Sequence, residues 1–276
     1  SELAGLRADA EALVDDALEL DVELAIARFA RDFDCVMPAV GGVEGTDDDP
    51  GFDIDGGRSP LLDVAFDAVE PVDYGVDGVA LLSGVNSGGK TSTLDLVALV
   101  TTLAHMGLPV PADSARVGRV RELHYHAKTQ GTLDAGAFEA TLRDFGALVE
   151  GVDGGAGGDG ANDPAGGRVM VLVDELESIT EPGAAATIIA GILEALAERE
   201  ATGVFVSHLA GDILDAADAE LTVDGIQAEG LVDGELRVNR SPVKGQLARS
   251  TPELIVEKLA DDADGAFYGD LLGKFE

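Results

Sequence analysis

The chain has 276 residues, of which 53 are acidic and 18 are basic, so its formal net charge is −35. A hydrophobic fraction of 46% is enough to build a sizeable core, which excludes an intrinsically disordered chain. The acidic surface would repel nucleic acid at low salt. We interpret the charge as adaptation to a salt-rich cytoplasm, because molar salt shortens the screening length to about 3 Å. An acidic surface for a basic partner is the alternative.

Cysteine content and hydropathy indicate the cellular compartment. Cys35 is the single cysteine, so no internal disulfide forms and a reducing compartment is expected. No apolar run has the length of a membrane span, and no signal peptide is recognisable, so we expect a cytoplasmic location without membrane contact. The chain starts at Ser1 inside a helical pattern, and we expect it to be part of a longer protein.

The first half of the chain predicts a helix followed by a strand–loop–helix unit. Residues 3–27 carry a heptad-like apolar stripe, typical of a long amphipathic helix that packs on another helix. Pro38 and the Gly/Asp-rich residues 41–57 predict a loop. We therefore interpret residues 1–40 as a helical connector and 41–276 as one domain. Within it, an apolar run predicts a buried strand at 79–82, and helical spacing continues from 91 to 106.

The second half alternates strands with helices. Strands are predicted at residues 116–127, 169–173 and 203–206. Helical spacing recurs at residues 138–149, 184–199, 252–260 and 266–272. Hairpins are expected over 221–240, with turns at 224–225 and 233–234, and the Gly-rich residues 151–167 predict a flexible loop. The continuous apolar run at 169–173 indicates a central parallel strand, so the pattern predicts an α/β layered fold.

A phosphate-binding loop stands between the strand at 79–82 and the helix after it. Residues 84–91 match G-x-x-x-x-G-K-[ST] in the strand–loop–helix context that this motif requires. Such a loop wraps backbone N–H groups around phosphate at a helix N-terminus. Lys90 would reach the β- and γ-phosphates of ATP, and Thr91 would ligate Mg²⁺. The predicted nucleotide-binding residues are Gly84, Val85, Asn86, Ser87, Gly88, Gly89, Lys90, Thr91 and Ser92.

Two further polar positions follow predicted buried strands. Asp174 and Glu175 come directly after the run at 169–173, the arrangement in which the first acid holds Mg²⁺ and the second is the general base. His208 follows the strand at 203–206 and would hydrogen-bond the γ-phosphate or the attacking water. The predicted catalytic groups are therefore Lys90, Glu175 and His208, with Thr91 and Asp174 as metal ligands.

The phosphate loop resembles that of the MutS family, which reads G-P-N-x-G-G-K-[ST], in its Asn86 and its doubled glycine. Four further segments resemble family motifs in the same order: Gly57-Arg58-Ser59-Pro60 (G-R-H-P), Pro109-Val110-Pro111-Ala112 (V-P-A), Asp174-Glu175-Leu176 with Thr180 (D-E-x-x-x-G-T) and Ser207-His208 (T-H). The chain is thus similar to the C-terminal ATPase domain of MutS proteins, closest to the MutS2 and MutS5-like branches.

The resemblance implies an ABC-type P-loop fold, with a mixed sheet flanked by helices after a long N-terminal helix. It implies ATP hydrolysis with Mg²⁺, a homodimer with composite ATP sites, and DNA contact through domains outside this chain. In that family a signature segment, here at Gly136, contacts the γ-phosphate bound by the other subunit. Val85, Gly136 and Ile179 depart from the family pattern. A nucleotide-binding structural module with little hydrolysis, or an ATPase of the SMC or Rad50 type, are the alternatives.

Overall fold

A six-stranded sheet lies at the centre of the computed structural model. The model describes residues 2–41, 51–85, 88–128, 135–153, 167–179, 182–232, 235–248, 255–257, 259–260 and 266–274. The helices are α1 (Glu2–Asp32), α2 (Lys90–His105), α3 (Ala135–Asp153), α4 (Pro182–Ala197), α5 (Ala210–Ala216) and α6 (Ala266–Leu272). Single 3₁₀ turns occupy Phe66–Ala68 and Leu176–Ile179.

The strands form three sheets. Their bounds are β1 (Ala39–Val40), β2 (Phe52–Gly57), β3 (Val72–Val76), β4 (Val79–Gly84), β5 (Ser114–Val117), β6 (Val120–His126), β7 (Arg168–Asp174), β8 (Thr202–Val206), β9 (Thr222–Ile226), β10 (Ala228–Val232), β11 (Glu235–Val238) and β12 (Val243–Lys244). The central sheet has the order β12-β9-β4-β8-β7-β6, a smaller one β1-β5-β2-β3, and β10 pairs with β11. In the central sheet β6, β7, β8, β4 and β9 are parallel, and β12 is antiparallel to β9.

The central strands are buried on both faces, which explains their continuous apolar runs. In β7, Val171 and Val173 pack into one core cluster while Met170 and Leu172 pack into the other. The first cluster contains α3, α4 and α5, and the second contains α2. The smaller sheet covers α2 from its other side through residues such as Phe52. Helix α2 is therefore held between two sheets.

The chain connections create a crevice at the carboxyl ends of the central strands. Strands β4 and β8 are neighbours, but the helices that follow them, α2 and α5, lie on opposite faces. In open α/β sheets, ligands bind where adjacent strands send their helices to opposite faces. The carboxyl ends of β4 and β8 mark that point here.

Most of the predicted regular elements are confirmed. The strands expected at 79–82, 169–173 and 203–206 correspond to β4, β7 and β8, and the helices expected at 91–106, 138–149, 184–199 and 266–272 correspond to α2, α3, α4 and α6. Of the expected loop at 151–167, residues 151–153 instead belong to α3, and residues 154–166 lie outside the described residues. None of the described helices combines the length and apolar character that a membrane span requires.

Two predictions from the first half of the chain are wrong. Residues 52–57 form β2 rather than part of a loop, since Phe52 and Ile54 are buried while the aspartates between and after them are exposed. The segment was predicted as a loop because it is rich in glycine and aspartate, which are typical of turns. The single strand expected at 116–127 is two strands, β5 and β6, which belong to different sheets.

The turn expected at Asp224-Gly225 is also wrong. Both residues lie inside β9, where they pair with Leu82 and Ser83 of β4. Asp224 is 1% exposed, and a Cβ on Gly225 would come within 2.4 Å of the Gln246 carbonyl oxygen, so glycine is required by a close backbone approach. The turn expected at 233–234 lies outside the described residues, although its flanking strands pair as a hairpin.

The long N-terminal helix is confirmed, but its expected packing is not. Leu13, Leu20 and Leu24 of the apolar stripe are 69%, 55% and 45% exposed, and within the described ranges no other helix covers them. Beyond the helix, β1 pairs with β5 of the smaller sheet. The domain boundary at residue 40 stays a prediction.

We expect Leu172→Ala to lower the free energy of unfolding by about 2–5 kcal/mol, because it opens a cavity between β7 and α2. Leu172 is fully buried. The same substitution at exposed Leu13 is the matched control and should cost about 0.5 kcal/mol or less. Denaturant unfolding measures both. Equal losses for the two variants would contradict the placement of the core.

Candidate active site

The phosphate loop connects β4 to α2. Gly89 precedes the first helical residue with φ +95°, a conformation that favours glycine. A Cβ on Gly88 would lie 2.8 Å from the Val85 carbonyl oxygen, so the loop turns too tightly for a side chain there. Asn86 and Ser87, both predicted to bind nucleotide, lie outside the described residues.

Lys90 is buried at the start of α2 and is folded back onto the loop. Its Nζ donates to the carbonyl oxygens of Gly84 (2.8 Å) and Val85 (3.3 Å). Burial lowers the pKa of Lys90, while the negative charges of Glu175 and Asp174 oppose that shift. The ammonium is therefore held in place by two carbonyls and is available to a stronger anionic partner.

Thr91 and Asp174 form a pair of oxygen donors. The Thr91 hydroxyl donates to Asp174 Oδ2 at 2.9 Å, and Asp174 is 4% exposed. Asp174 Oδ1 is buried without a hydrogen-bond partner. Burial raises the pKa of Asp174 despite the hydrogen bond from Thr91. An unsatisfied carboxylate oxygen beside a hydroxyl fits Mg²⁺, which takes one or two protein oxygens and completes its shell with phosphate and water.

No cluster of three or more His, Cys, Asp or Glu side chains able to hold a metal occurs among the described residues. A site that shares Mg²⁺ with a nucleotide does not need such a cluster.

Glu175 lies at the edge of the cavity in a left-handed backbone conformation, with φ +49°. Non-glycine residues adopt this region at a conformational cost, and such positions cluster at functional sites. Its side chain is 13% exposed, accepts a hydrogen bond from Lys128, and lies 2.6 Å from His208 Nε2 through Oε1. Burial alone would raise the pKa of Glu175, but the contacts with Lys128 and His208 outweigh burial and lower it.

Glu177 holds the turn that carries His208. Its Oε1 accepts from the Ser207 hydroxyl at 2.9 Å and from the His208 backbone N–H at 2.6 Å. Glu177 was not predicted from the sequence. The signal was an additional acid two residues after Glu175, which has no role in the family motif quoted above.

Lys90, Thr91, Glu175 and His208 line a cavity of about 720 Å³, within the usual size range of ligand pockets. Its polar lining, here called the polar end, includes Gly88, Gly89, Lys90, Thr91, Ser92, Lys128, Glu175 and His208. Its apolar lining, here called the apolar end, includes Leu62, Val64, Ala68, Val69, Val72 and Leu96. Arg240, whose Nε lies 3.0 Å from Glu70 Oε2, lines the cavity beside Gly89. The polar lining is suited to phosphates and the apolar lining to a flat apolar group.

Among the described residues, the structure brings most of the predicted site residues together. Gly136 lies in the first turn of α3, and its contact with nucleotide stays a prediction. Thr180, part of the quoted family resemblance, lies outside the described residues. Sequence reasoning missed Lys128, Arg240 and the apolar end. Of these, only Lys128 could have been recognised from the sequence, because it is one of only five lysines in the chain and directly follows a predicted strand.

Known proteins similar to this chain carry MutS names. DNA-binding protein MutS2 of Pyrococcus furiosus is 36% identical over 91% of this chain, which covers 42% of that protein. Endonuclease MutS2 of Gemmatimonas aurantiaca is 28% identical over 77% of the chain and 25% of its own length. DNA mismatch repair protein MutS of Dinoroseobacter shibae is 32% identical over 57% of this chain, which covers 17% of that protein.

No protein-family model matches the chain. These similarities support the resemblance to the MutS family, and the chain spans less than half the length of each of these three relatives.

We expect Asp174→Asn to leave the ligand-free chain as stable as the wild type or to stabilise it by up to about 1 kcal/mol, because it removes a buried, incompletely paired charge. The same variant should gain less stability than the wild type from Mg²⁺ with ADP. Denaturant unfolding in EDTA and thermal unfolding with Mg²⁺–ADP measure the two effects. Asp212→Asn, in the exposed first turn of α5, is the control. Marked destabilisation in EDTA would contradict this account of Asp174.

Proposed function

We propose that this chain is the ATP-binding and ATP-hydrolysing part of a MutS-like protein, in which nucleotide state controls the handling of DNA in mismatch repair or recombination. The observation that carries the proposal is one cavity lined by the phosphate loop, by the Glu175–His208 pair and by Thr91, whose hydroxyl contacts Asp174. The names of the relatives support the role in DNA handling. DNA contact is assigned to parts of the longer protein, since the chain is strongly acidic.

The polar end of the cavity would bind the phosphates. The N-terminus of α2 offers free N–H groups and partial positive charge to them. Lys90 would exchange its two loop carbonyls for β- and γ-phosphate oxygens, which carry full negative charge and are stronger acceptors. Its low exposure keeps water from competing for the ammonium.

Thr91 and Asp174 would hold Mg²⁺ beside the phosphates. When bound, the ion would neutralise negative charge on the β- and γ-phosphate oxygens. Asp174 already has one carboxylate oxygen free of hydrogen bonds for this purpose. The Thr91 hydroxyl would turn from Asp174 to contribute its own oxygen.

Glu175 would accept a proton from the water that attacks the γ-phosphate. Its lowered pKa keeps it ionised near neutral pH, as a base must be. His208 lies next to it and would orient the water or donate to the γ-phosphate. Glu177 fixes the backbone of His208 and thereby the distance between the two side chains.

The apolar end of the cavity would take the adenine base. Leu62, Val64 and Val69 supply surface for the faces of a flat ring, and the base would lose water on binding there. Glu70 and Arg240 also line the cavity, and their paired side chains would offer polar groups to the edge of the base.

Two copies of the chain would form composite sites. The γ-phosphate bound by one copy would contact the first turn of α3, at Gly136, of the other. Gly136 lacks a hydroxyl, so this contact would use backbone N–H groups. The net charge of −35 opposes association at low salt, and we assign the acidic surface to a salt-rich cytoplasm.

A nucleotide-binding module with little hydrolysis is the second candidate. The ion pair between Lys128 and Glu175 favours it, because an ammonium on the general base competes with the attacking water. Measured turnover separates the two candidates. An ATPase of the SMC or Rad50 type has less support, since the relatives carry MutS names.

We expect Glu175→Gln to keep ATP binding and to lower turnover by about 10²–10⁴-fold, because the amide keeps the shape of the side chain without its basicity. Single-turnover hydrolysis and equilibrium binding in high salt measure the two effects. Glu198→Gln, an exposed position after α4, is the matched control. Wild-type turnover by Glu175→Gln would show that the general base lies elsewhere, and binding without turnover by the wild type would favour the binding module.

We expect ATP–Mg²⁺ to shift the Glu175→Gln variant toward dimer more than ADP–Mg²⁺ does, because only ATP offers a γ-phosphate to the second copy. Sedimentation velocity in molar salt, with each nucleotide and with none, measures the monomer fraction. Equal monomer fractions in all three conditions would contradict the composite site and leave nucleotide binding intact as a separate result.

A further inference from the structure

Lys128 is a second cation at the polar end of the cavity. It follows β6, an edge strand whose carboxyl end lies beside that of β7, and it lines the same cavity as Lys90. Its Nζ forms an ion pair with Glu175 Oε2, and half of its side chain is exposed. The ammonium therefore contacts the catalytic carboxylate while keeping freedom to move.

The ion pair works against hydrolysis in the state that the structure shows. Glu175 contacts Lys128 through one oxygen and His208 through the other, so each oxygen already has one partner. A water that approaches Glu175 competes with these partners, and departure of one of them favours catalysis through Glu175. Lys128 is the more exposed of the two and is held by this contact alone among its described ion pairs.

The charges around Lys128 indicate what would draw it away. Lys90 and Lys128 are close enough for their charges to repel each other, and both act on the same cavity. Two ammonium groups on one cavity provide two cationic partners for an anion that binds between them. A phosphate group carries more negative charge than a carboxylate and offers more acceptor oxygens.

We propose that Lys128 is a γ-phosphate-binding residue, which holds Glu175 in the nucleotide-free chain and transfers to the γ-phosphate when ATP binds, leaving Glu175 free to accept a proton from water. The proposal rests on the proposed function of the cavity. ADP has no γ-phosphate, so Lys128 stays on Glu175 when ADP is bound. Lys128 thus contributes to the distinction between ATP and ADP.

The test is a double-mutant comparison of binding. In a Glu175→Gln background, where ATP survives long enough for calorimetry, ATP–Mg²⁺ and ADP–Mg²⁺ are titrated into three further variants: Lys128→Ala, Lys128→Arg and Lys244→Ala. Lys244 is an exposed lysine in β12, at the opposite edge of the central sheet, so its loss removes the same charge far from β6. ADP affinity reports whether each variant is folded.

We expect Lys128→Ala to weaken ATP binding by about tenfold, equivalent to about 1.4 kcal/mol, with little change for ADP. Lys128→Arg should restore most of the loss, and Lys244→Ala should change neither affinity. The glutamine background matters because it removes the carboxylate charge. If Lys128 acted only by neutralising Glu175, its loss would have no selective effect there.

Four results would overturn the proposal. No change in ATP affinity for Lys128→Ala, or an equal loss for ATP and ADP, would exclude a γ-phosphate contact. An ATP-selective loss seen only when Glu175 is intact, measured with a non-hydrolysable ATP analogue, would show that Lys128 only neutralises the carboxylate. Failure of the background variant itself to bind either nucleotide would refute the proposed function, and the role of Lys128 with it.

Discussion

The parallel register of β4, β8 and β7 determines where the chemistry lies. Val206 at the end of β8 is level with Leu82 of β4 on one side and with Asp174 of β7 on the other. The phosphate loop begins two residues after Leu82, Asp174 is the first residue of the acidic pair, and Ser207-His208 follows Val206, so all three segments lie near the same end of the sheet. Hydrogen bonds between buried strands fix this level, and a slip of one residue would turn the apolar side chains of each strand to the wrong face.

The same register explains the contacts between these segments. The Glu175 N–H donates to the Val206 carbonyl, and Glu177 accepts from the backbone of His208, so the acidic segment and the turn after β8 form one unit. Thr91 joins this unit to the start of α2 through Asp174. Lys90, Thr91, Asp174, Glu175 and His208 are thus each held by a neighbour from a different element of the fold.

Electrostatic balance at the cavity suits a ligand that brings negative charge. Lys90 bonds to neutral carbonyls, Lys128 to the carboxylate of Glu175, and Asp174 has an oxygen with no partner. Nucleotide phosphates and a divalent cation would satisfy all three with stronger partners. The chain carries 53 acidic residues, so these few cations are local exceptions on a strongly negative molecule. Their concentration around one cavity distinguishes it from the surface.

The sequence by itself was enough to identify the functional groups that belong to short contiguous motifs. The phosphate loop, the acidic pair and His208 each follow an apolar strand, because burial on both faces requires an uninterrupted apolar run and the next polar residue marks its end. Only the tertiary structure decided the rest. Lys128 reaches Glu175 because β6 pairs with β7, and Asp224-Gly225 is strand because β4 supplies a pairing partner that local turn propensity cannot anticipate. Such contacts join residues far apart in the chain, and their physical cause is the pairing of strands rather than the pattern within any one of them.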